Sequence, residues 1–204
     1  MDANNYITSI QSNSTNKLII ALPNGNTVSG FIKDNLSLAT STDYTSAYEL
    51  SKLNNFSDKA EKVASLVGQS FTVRTLEDSK QLWKSTTTSP LSFTFVHVAL
   101  NPDDDVRKAV RDLNEAIYPT KTMIGTLTAP LGYNAGTPLL KPVNTISIKV
   151  GKWFRASYLI LRSLNTILSK EVIKGTNLPL YAEISITLEP SMQLDLEEAN
   201  EWLV

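Results

Sequence analysis

The chain of 204 residues contains no cysteine and a single histidine. Without cysteine there is no disulfide framework and no thiolate zinc site. With one histidine, no imidazole metal cluster can be assembled, and a catalytic triad has only His97 as its base. His97 stands mid-strand beside Phe95, the setting of a satisfied, partly buried histidine. No glycine-rich phosphate loop is present. GNTVSG (25–30) lacks the lysine and falls in a hairpin pattern, and GTPLLKP (136–142) is a proline-rich connection. No apolar run approaches the roughly 18 residues of a membrane span. The polar start, MDANNYITSIQSNSTN, lacks the apolar stretch of a secretory leader, so none is expected. The glycosylation triplets at Asn13, Asn35 and Asn55 then read as chance matches in Asn/Ser-rich sequence.

Charge is also scarce. Charged residues make up 19% of the chain and the formal net charge is −1. A global basic excess, the usual footprint of nucleic-acid or anionic-membrane binding, is therefore missing. Lys149, Lys152, Arg155 and Arg162 form the densest basic group, without interleaved aromatics at the spacing of a nucleic-acid stripe. Asp103, Asp104 and Asp105 suggest a Ca²⁺ or Mg²⁺ site, but consecutive helical residues diverge, so helix-start charge explains them better. Glu171 with Glu183 or Glu189 would be a carboxylate pair for glycosidase work, but the latter two lie on the polar face of a strand, where solvated residues go. The residues themselves therefore argue against an enzyme and imply neither cofactor nor metal.

What is present is a β pattern. Hydrophobic residues reach 42%, enough for a core. KLIIALPNGNTVSGFI (17–32) reads as a hairpin: Leu18, Ile20 and Leu22 share a face, as do Val28 and Ile32. Asn24-Gly25 is expected to supply two positive-φ residues to its turn. Residues 33–55 read as a long loop with a helical turn at SAYELSKL (46–53). A helix is expected over 57–68, and strands over 71–76 and 91–100, with a polar Trp83 segment (77–90) between them. The clearest helix runs from 101 to 119, with Asn101 as cap and Pro102 as first helical residue. Its apolar stripe is Val106, Val110, Leu113 and Ile117. Residues 119–144 hold four of the nine prolines and read as an extended connection. In TISIKV (145–150), Ile146, Ile148 and Val150 alternate with polar residues. WFRASYLIL (153–161) is apolar on both faces, as in a central strand or one crossing between layers. SLNTILSKEVIKGTNLP (163–179) reads as the return. LYAEISITLE (180–189) then alternates strictly. Leu180, Ala182, Ile184, Ile186 and Leu188 point inward; Tyr181, Glu183, Ser185, Thr187 and Glu189 point outward. LEEANEWLV reads as a tail of one or two helical turns.

Two blocks together carry a resemblance. One is SFTVRTLEDSKQLWKSTTTSPLSFTFVHVALNPDDDVRKAVRDLNEAIYP (70–119). The other is ISIKVGKWFRASYLILRSLNTILSKEVIKGTNLPLYAEISITLEP (146–190). Their order resembles the baseplate tube-initiator and tail-tube-like proteins of contractile-tailed bacteriophages and related injection systems. That family ends its domain in a GxPLxAxVxVxF-like segment. Gly175, Pro179, Leu180, Ala182, Ile184, Ile186 and Leu188 match it, with Asn177 and Leu178 as extra residues and leucine in place of the aromatic. The resemblance covers residues 70–190 and rests on degenerate structural motifs.

The resemblance implies a mainly β fold of two packed antiparallel sheets, a sandwich or barrel, with a flanking amphipathic helix. It implies one domain over 1–204, with a 33–70 insertion, a 119–144 connection and a 191–204 tail. Copies of such a protein form a six-membered ring whose strands join around a central channel. The ring couples hub and spike to the tail tube and starts tube growth. Partners are then other copies, the tube, hub and baseplate proteins; DNA only passes through, and no membrane is entered. The strand bearing Tyr181, Glu183, Ser185 and Thr187 becomes the assembly strand, its backbone edge paired with the next copy. Ile146, Ile148, Ile184, Ile186, Val106, Val110, Leu113 and Ile117 become the core. Some relatives add a peptidoglycan-binding domain after the last strand; the chain stops soon after it, so that activity is not expected. The repeated tube protein is one alternative, and a receptor- or carbohydrate-binding β-sandwich with loop aromatics is another. Trp83, Trp153 and Trp202 are spread along the chain rather than clustered.

Overall fold

A computed structural model describes residues 17–46, 80–101, 104–130 and 145–203. The chain divides into two compact units, Thr40–Thr87 and the remainder.

The larger unit is built on a closed antiparallel barrel of six strands. β1 (Lys17–Ala21) and β2 (Thr27–Ile32) form the predicted hairpin, with Leu18, Ile20, Leu22 and Val28 buried. Its turn differs from expectation. Gly25 has φ 84°, while Asn24 is not in the positive-φ region. The Gly25 amide donates to the Leu22 carbonyl at 3.0 Å, and the Leu22 amide donates to the Asn26 carbonyl at 2.9 Å. This is a three-residue loop: Pro23 presets the first turn position, and glycine takes the left-handed position that follows.

The smaller unit holds a two-stranded sheet, β3 (Thr40–Ser46) and β4 (Gln81–Thr88). Both stretches read as loop or irregular in the sequence. Their Ser/Thr-rich strands are mostly exposed, so no apolar period marks them. Hydroxyl contacts join them instead, Ser41 with Thr87 at 2.9 Å and Thr42 with Thr86 at 3.4 Å. The helix expected over 57–68, the strand over 71–76 and most of the 46–53 turn lie outside the described residues.

β5 (Leu91–Val98) returns to the barrel with Leu91, Phe93 and Phe95 inward. His97 is half-buried and its Nδ1–H donates to the Ser29 carbonyl, the satisfied state expected of it. The helix α1 (Val106–Glu115) begins later than Asn101. Its cap is Asp105, whose Oδ1 accepts from the Arg107 amide at 3.0 Å. Asp104 explains the delay. Its carboxylate turns back to accept from the Leu100 and Asn101 amides, both at 2.9 Å, and closes a separate turn. Val106, Ala109, Leu113 and Ala116 are buried in the core, whereas Val110 and Ile117 lie half-buried at its margin. The stripe is thus rotated toward the alanines, which let the helix approach the barrel closely. A polar clasp ties α1 to the β1–β2 turn. Asn24 Nδ2 donates to Glu115 at 2.9 Å, and Asn26 Nδ2 donates to the buried Asp112 at 3.2 Å.

Part of the expected connection after α1 is a small hairpin, β6 (Thr120–Lys121) and β7 (Leu127–Thr128). Residues 131–144 lie outside the described ones. β8 (Ile146–Val150) then pairs with both β1 and β9, which closes the barrel. β9 (Phe154–Leu168) is far longer than the pattern suggested: SLNTIL continues the strand instead of starting the return. Two register shifts explain why it looked apolar on both faces. Ile148 pairs with Ala156 but Ile146 with Leu159, so Ser157 and Tyr158 together oppose Ser147. Tyr158 sits in this bulge at φ 60°, a conformation unfavourable for its side chain. Thr187 pairs with Ser163 but Leu188 with Leu161, leaving Arg162 as a second extra residue. The inward set therefore changes phase twice: Phe154 and Ala156, then Leu159 and Leu161, then Leu164.

β10 (Tyr181–Pro190) crosses the barrel between β5 and β9, with Ala182, Ile184, Ile186 and Leu188 buried and Leu180, just before it, half-buried. The last residues are more than a tail. The short helix α2 (Leu196–Glu201) has an Asp195–Glu198 capping box. It delivers Trp202, 5% exposed, edge-on to Phe154 with ring centroids 6.0 Å apart. The fold is thus mainly β with flanking helices, and its main sheet is a closed barrel rather than two separate packed sheets.

Two expected outcomes follow from this packing. A Cβ at Gly30 would stand 2.5 Å from Phe95 Cδ2 and 2.7 Å from the Val96 carbonyl oxygen. Gly30→Ala should destabilise by about 1–3 kcal/mol, read by urea unfolding. Asp105 is held below the usual carboxylate range, chiefly by the hydrogen bond from the Arg107 side chain; the Asn101 amide does the same for Asp104. A depressed folded value stabilises the protein above the ordinary carboxyl pKa of about 4 and loses that contribution as pH falls through the folded value. Asp105→Ala should cost about 1 kcal/mol at neutral pH and flatten the acid limb of thermal stability measured by circular dichroism.

Candidate functional site

The outward residues of β10 occupy the middle of a three-stranded face, β5–β10–β9. Tyr181, Glu183, Ser185 and Thr187 are all half-buried on it. Register brings uncharged polar residues to both sides of two of them. Ser185 faces Thr94 on β5 and Asn165 on β9; Thr187 faces Ser92 and Ser163. The Thr94 and Ser185 hydroxyls are 3.0 Å apart, as are those of Ser92 and Thr187. These rows line a shallow groove of about 250 Å³ that also reaches Asp34. Neighbouring hydroxyls satisfy one another, and neither pair includes a general base that would activate a nucleophile.

Charge on this face is paired within it. Lys33 Nζ lies 2.8 Å from Glu183 Oε1, and Arg162 Nε lies 2.6 Å from Glu189 Oε2. Both carboxylates come from β10 and both cations from its surroundings. Exposed pairs of this kind contribute little to stability, about 0–1 kcal/mol each. Their consequence is electrostatic: the two cations beside β10, Lys33 and Arg162, each have a carboxylate against them. The same contacts engage two members of the conceivable glycosidase set, Glu183 and Glu189. Among the described residues no group of three or more His, Cys, Asp or Glu is placed to hold a metal ion. No described helix is long and apolar enough to cross a membrane.

One expectation is overturned. β10 was to be an edge completed by the next copy, yet its backbone pairs with β5 from Tyr181 to Leu188 and with β9 from Ala182 to Pro190. Main-chain addition at β10 has no free donors or acceptors to use, because β9 runs the full length beside it. What Tyr181, Glu183, Ser185 and Thr187 can offer is a side-chain surface. Of the expected core, Ile146, Ile148, Ile184, Ile186, Val106 and Leu113 are buried, with Val110 and Ile117 at the margin. The basic group is divided: Lys149 opposes Arg155 across β8–β9, while Arg162 turns to Glu189.

Residue-by-residue reading missed the flanking rows. Ser92 and Thr94 alternate visibly with Phe93 and Phe95 and could have been found. Ser163 and Asn165 could not, because the extra residue at Arg162 inverts the phase of β9 just before them. No protein-family model and no curated protein matches the chain.

The face and the core behind it predict different mutant behaviour. Ile184→Asp buries a carboxylate inside the barrel and should abolish folding, a loss of several kcal/mol. Glu183→Lys should keep the fold, moving the midpoint by no more than about 1 kcal/mol. Circular dichroism with native mass measurement separates the two; loss of folding in both variants would reverse the assignment of faces.

Proposed function

We propose that the protein is a structural component of a phage tail or baseplate, a ring that joins the hub and spike to the tail tube and initiates tube assembly. The observation that carries this reading is the hydroxyl-lined face on β10, set on a closed barrel, with the flanking Lys33 and Arg162 paired to carboxylates. Such a face suits the wall of a passage for nucleic acid, because it gives a phosphate backbone no unneutralised cation to bind. The resemblance of residues 70–190 to tube-initiator proteins supplies the biological setting. The closed barrel shapes how a ring would form. Copies would meet through side-chain surfaces and projecting segments, since the barrel strands are already paired within the chain. The repeated tube protein remains an alternative within the same reading, and the site of action is the virion.

A second reading has one observation in its favour. In the smaller unit, Tyr44 and Trp83 are exposed aromatics on a two-stranded sheet, a feature of carbohydrate- or receptor-binding modules.

Native mass spectrometry of the protein, alone and mixed with the tube protein of the same particle, decides between them. The ring reading expects a closed oligomer or seeded tube growth. A monomer that ignores tube protein but binds glycans in a Trp83-dependent manner would transfer the function to the smaller unit.

A further inference from the structure

The β6–β7 hairpin displays the two most exposed large apolar side chains among the described residues, Met123 and Ile124, with Leu127 and Tyr118 exposed nearby. With two residues per strand it has almost no sheet to stabilise it. Threonines stitch it together instead. The Thr122 amide donates to the Thr126 carbonyl at 2.8 Å, and the Thr126 amide donates to Thr122 Oγ1 at 3.1 Å. The Thr122 and Thr126 hydroxyls meet at 2.6 Å, and Thr128 Oγ1 donates to the Thr120 carbonyl at 3.1 Å. Gly25 and Gly125 share φ 84° and the same hydrogen-bonded loop, so this turn repeats the geometry of the β1–β2 turn. In β1–β2 the loop serves the core. In β6–β7 it presents Met123 and Ile124 to solvent in a fixed conformation, which lowers the ordering cost of a contact.

The chain also holds a cleft that suits this tip. It has a volume of about 500 Å³ and lies between the start of β9 and α2. Leu194, Trp202 and the bulged Tyr158 supply apolar walls, while Arg155, Glu198 and Glu201 add charge at the site. Thioether–aromatic contact is favourable for methionine in such a place. Charge agrees as well. From Pro190 to Leu203 the chain has Asp195, Glu197, Glu198 and Glu201 and no cation, whereas residues 118–128 have Lys121 and no carboxylate.

We propose that the hairpin tip docks in the Trp202 cleft of a second copy of this chain. The inference rests on the ring reading and deepens it by naming the subunit contact. Tip and cleft are different surfaces of one subunit, so the contact is head-to-tail; it propagates from copy to copy and closes when the rotation permits. It needs no free strand, consistent with a barrel whose strands are all paired.

The absence of cysteine makes the test clean. Ile124→Cys and Glu201→Cys change exposed residues, so both variants should fold normally. Mixed and oxidised, they should give a disulfide-linked heterodimer on a non-reducing gel. The double variant should give a ladder ending at the ring, and each single variant alone should give no ladder. Met123→Glu/Ile124→Glu should leave the circular dichroism spectrum unchanged and weaken self-association at least tenfold. A ring mass that persists in the Glu variant, with no cross-linked ladder, overturns this contact while leaving the ring reading intact. Wild-type protein that stays monomeric at every concentration, even with tube protein, overturns both. A species that stops at a dimer overturns the head-to-tail arrangement. Binding of Ile124-dependent character to phosphatidylcholine–phosphatidylglycerol vesicles, without cross-linking, overturns the proposal in favour of a lipid surface.

Discussion

Pairing of β8 with β1 closes the barrel, and most of the other features depend on that closure. Leu18 faces Val150 and Ile20 faces Ile148 across it. A six-stranded barrel is narrow, so its interior is filled by side chains and does not serve as a channel. Once it is closed, no strand of it is left as an edge, and the hazard of uncontrolled strand addition disappears. The helix α1 and Trp202 pack onto this frame as parts of the same hydrophobic core. Trp202 is then a core residue carried on a short terminal segment, held edge-on to Phe154 and by its carbonyl accepting from the Arg155 amide at 3.0 Å.

The second constraint is the irregularity of β9. A regular strand of fifteen residues would keep one face toward the core throughout, and the apolar residues here do not alternate in one phase. Bulges at Ser157–Tyr158 and at Arg162 reset the phase so that each apolar segment still points inward. The same resets place Ser163 and Asn165 on the outside, next to Thr187 and Ser185. They also place Tyr158 beside the cleft at Trp202. The hydroxyl face and the cleft are therefore both products of the bulged strand.

A barrel without free edges leaves only side-chain surfaces and projecting segments for contact with another molecule. The β5–β10–β9 face carries mutually bonded hydroxyls, and the Lys33 and Arg162 cations beside β10 are matched to Glu183 and Glu189. The β6–β7 hairpin is the opposite kind of feature, an apolar tip stiffened by polar stitching.

Local pattern in the sequence determined the alternation of β10, the amphipathic helix at 106–115 and the β1–β2 hairpin. Each depends on residues adjacent in the chain, where a period of 2 or 3.6 is written directly. The same pattern explains why the outward set Tyr181, Glu183, Ser185 and Thr187 was legible while its neighbours on β9 were not. Tertiary structure alone decided which strands have free edges, because β1 and β8 meet across more than a hundred residues and neither announces the other. It decided the helix start, where Asp104 was drawn back to the Leu100 and Asn101 amides and left the cap to Asp105. It decided the strands β3 and β4, whose exposed Ser/Thr side chains carry no apolar period. It also decided the burial of Trp202, since the residues just before it read as a solvated helix and only Phe154 gives the indole a place to pack.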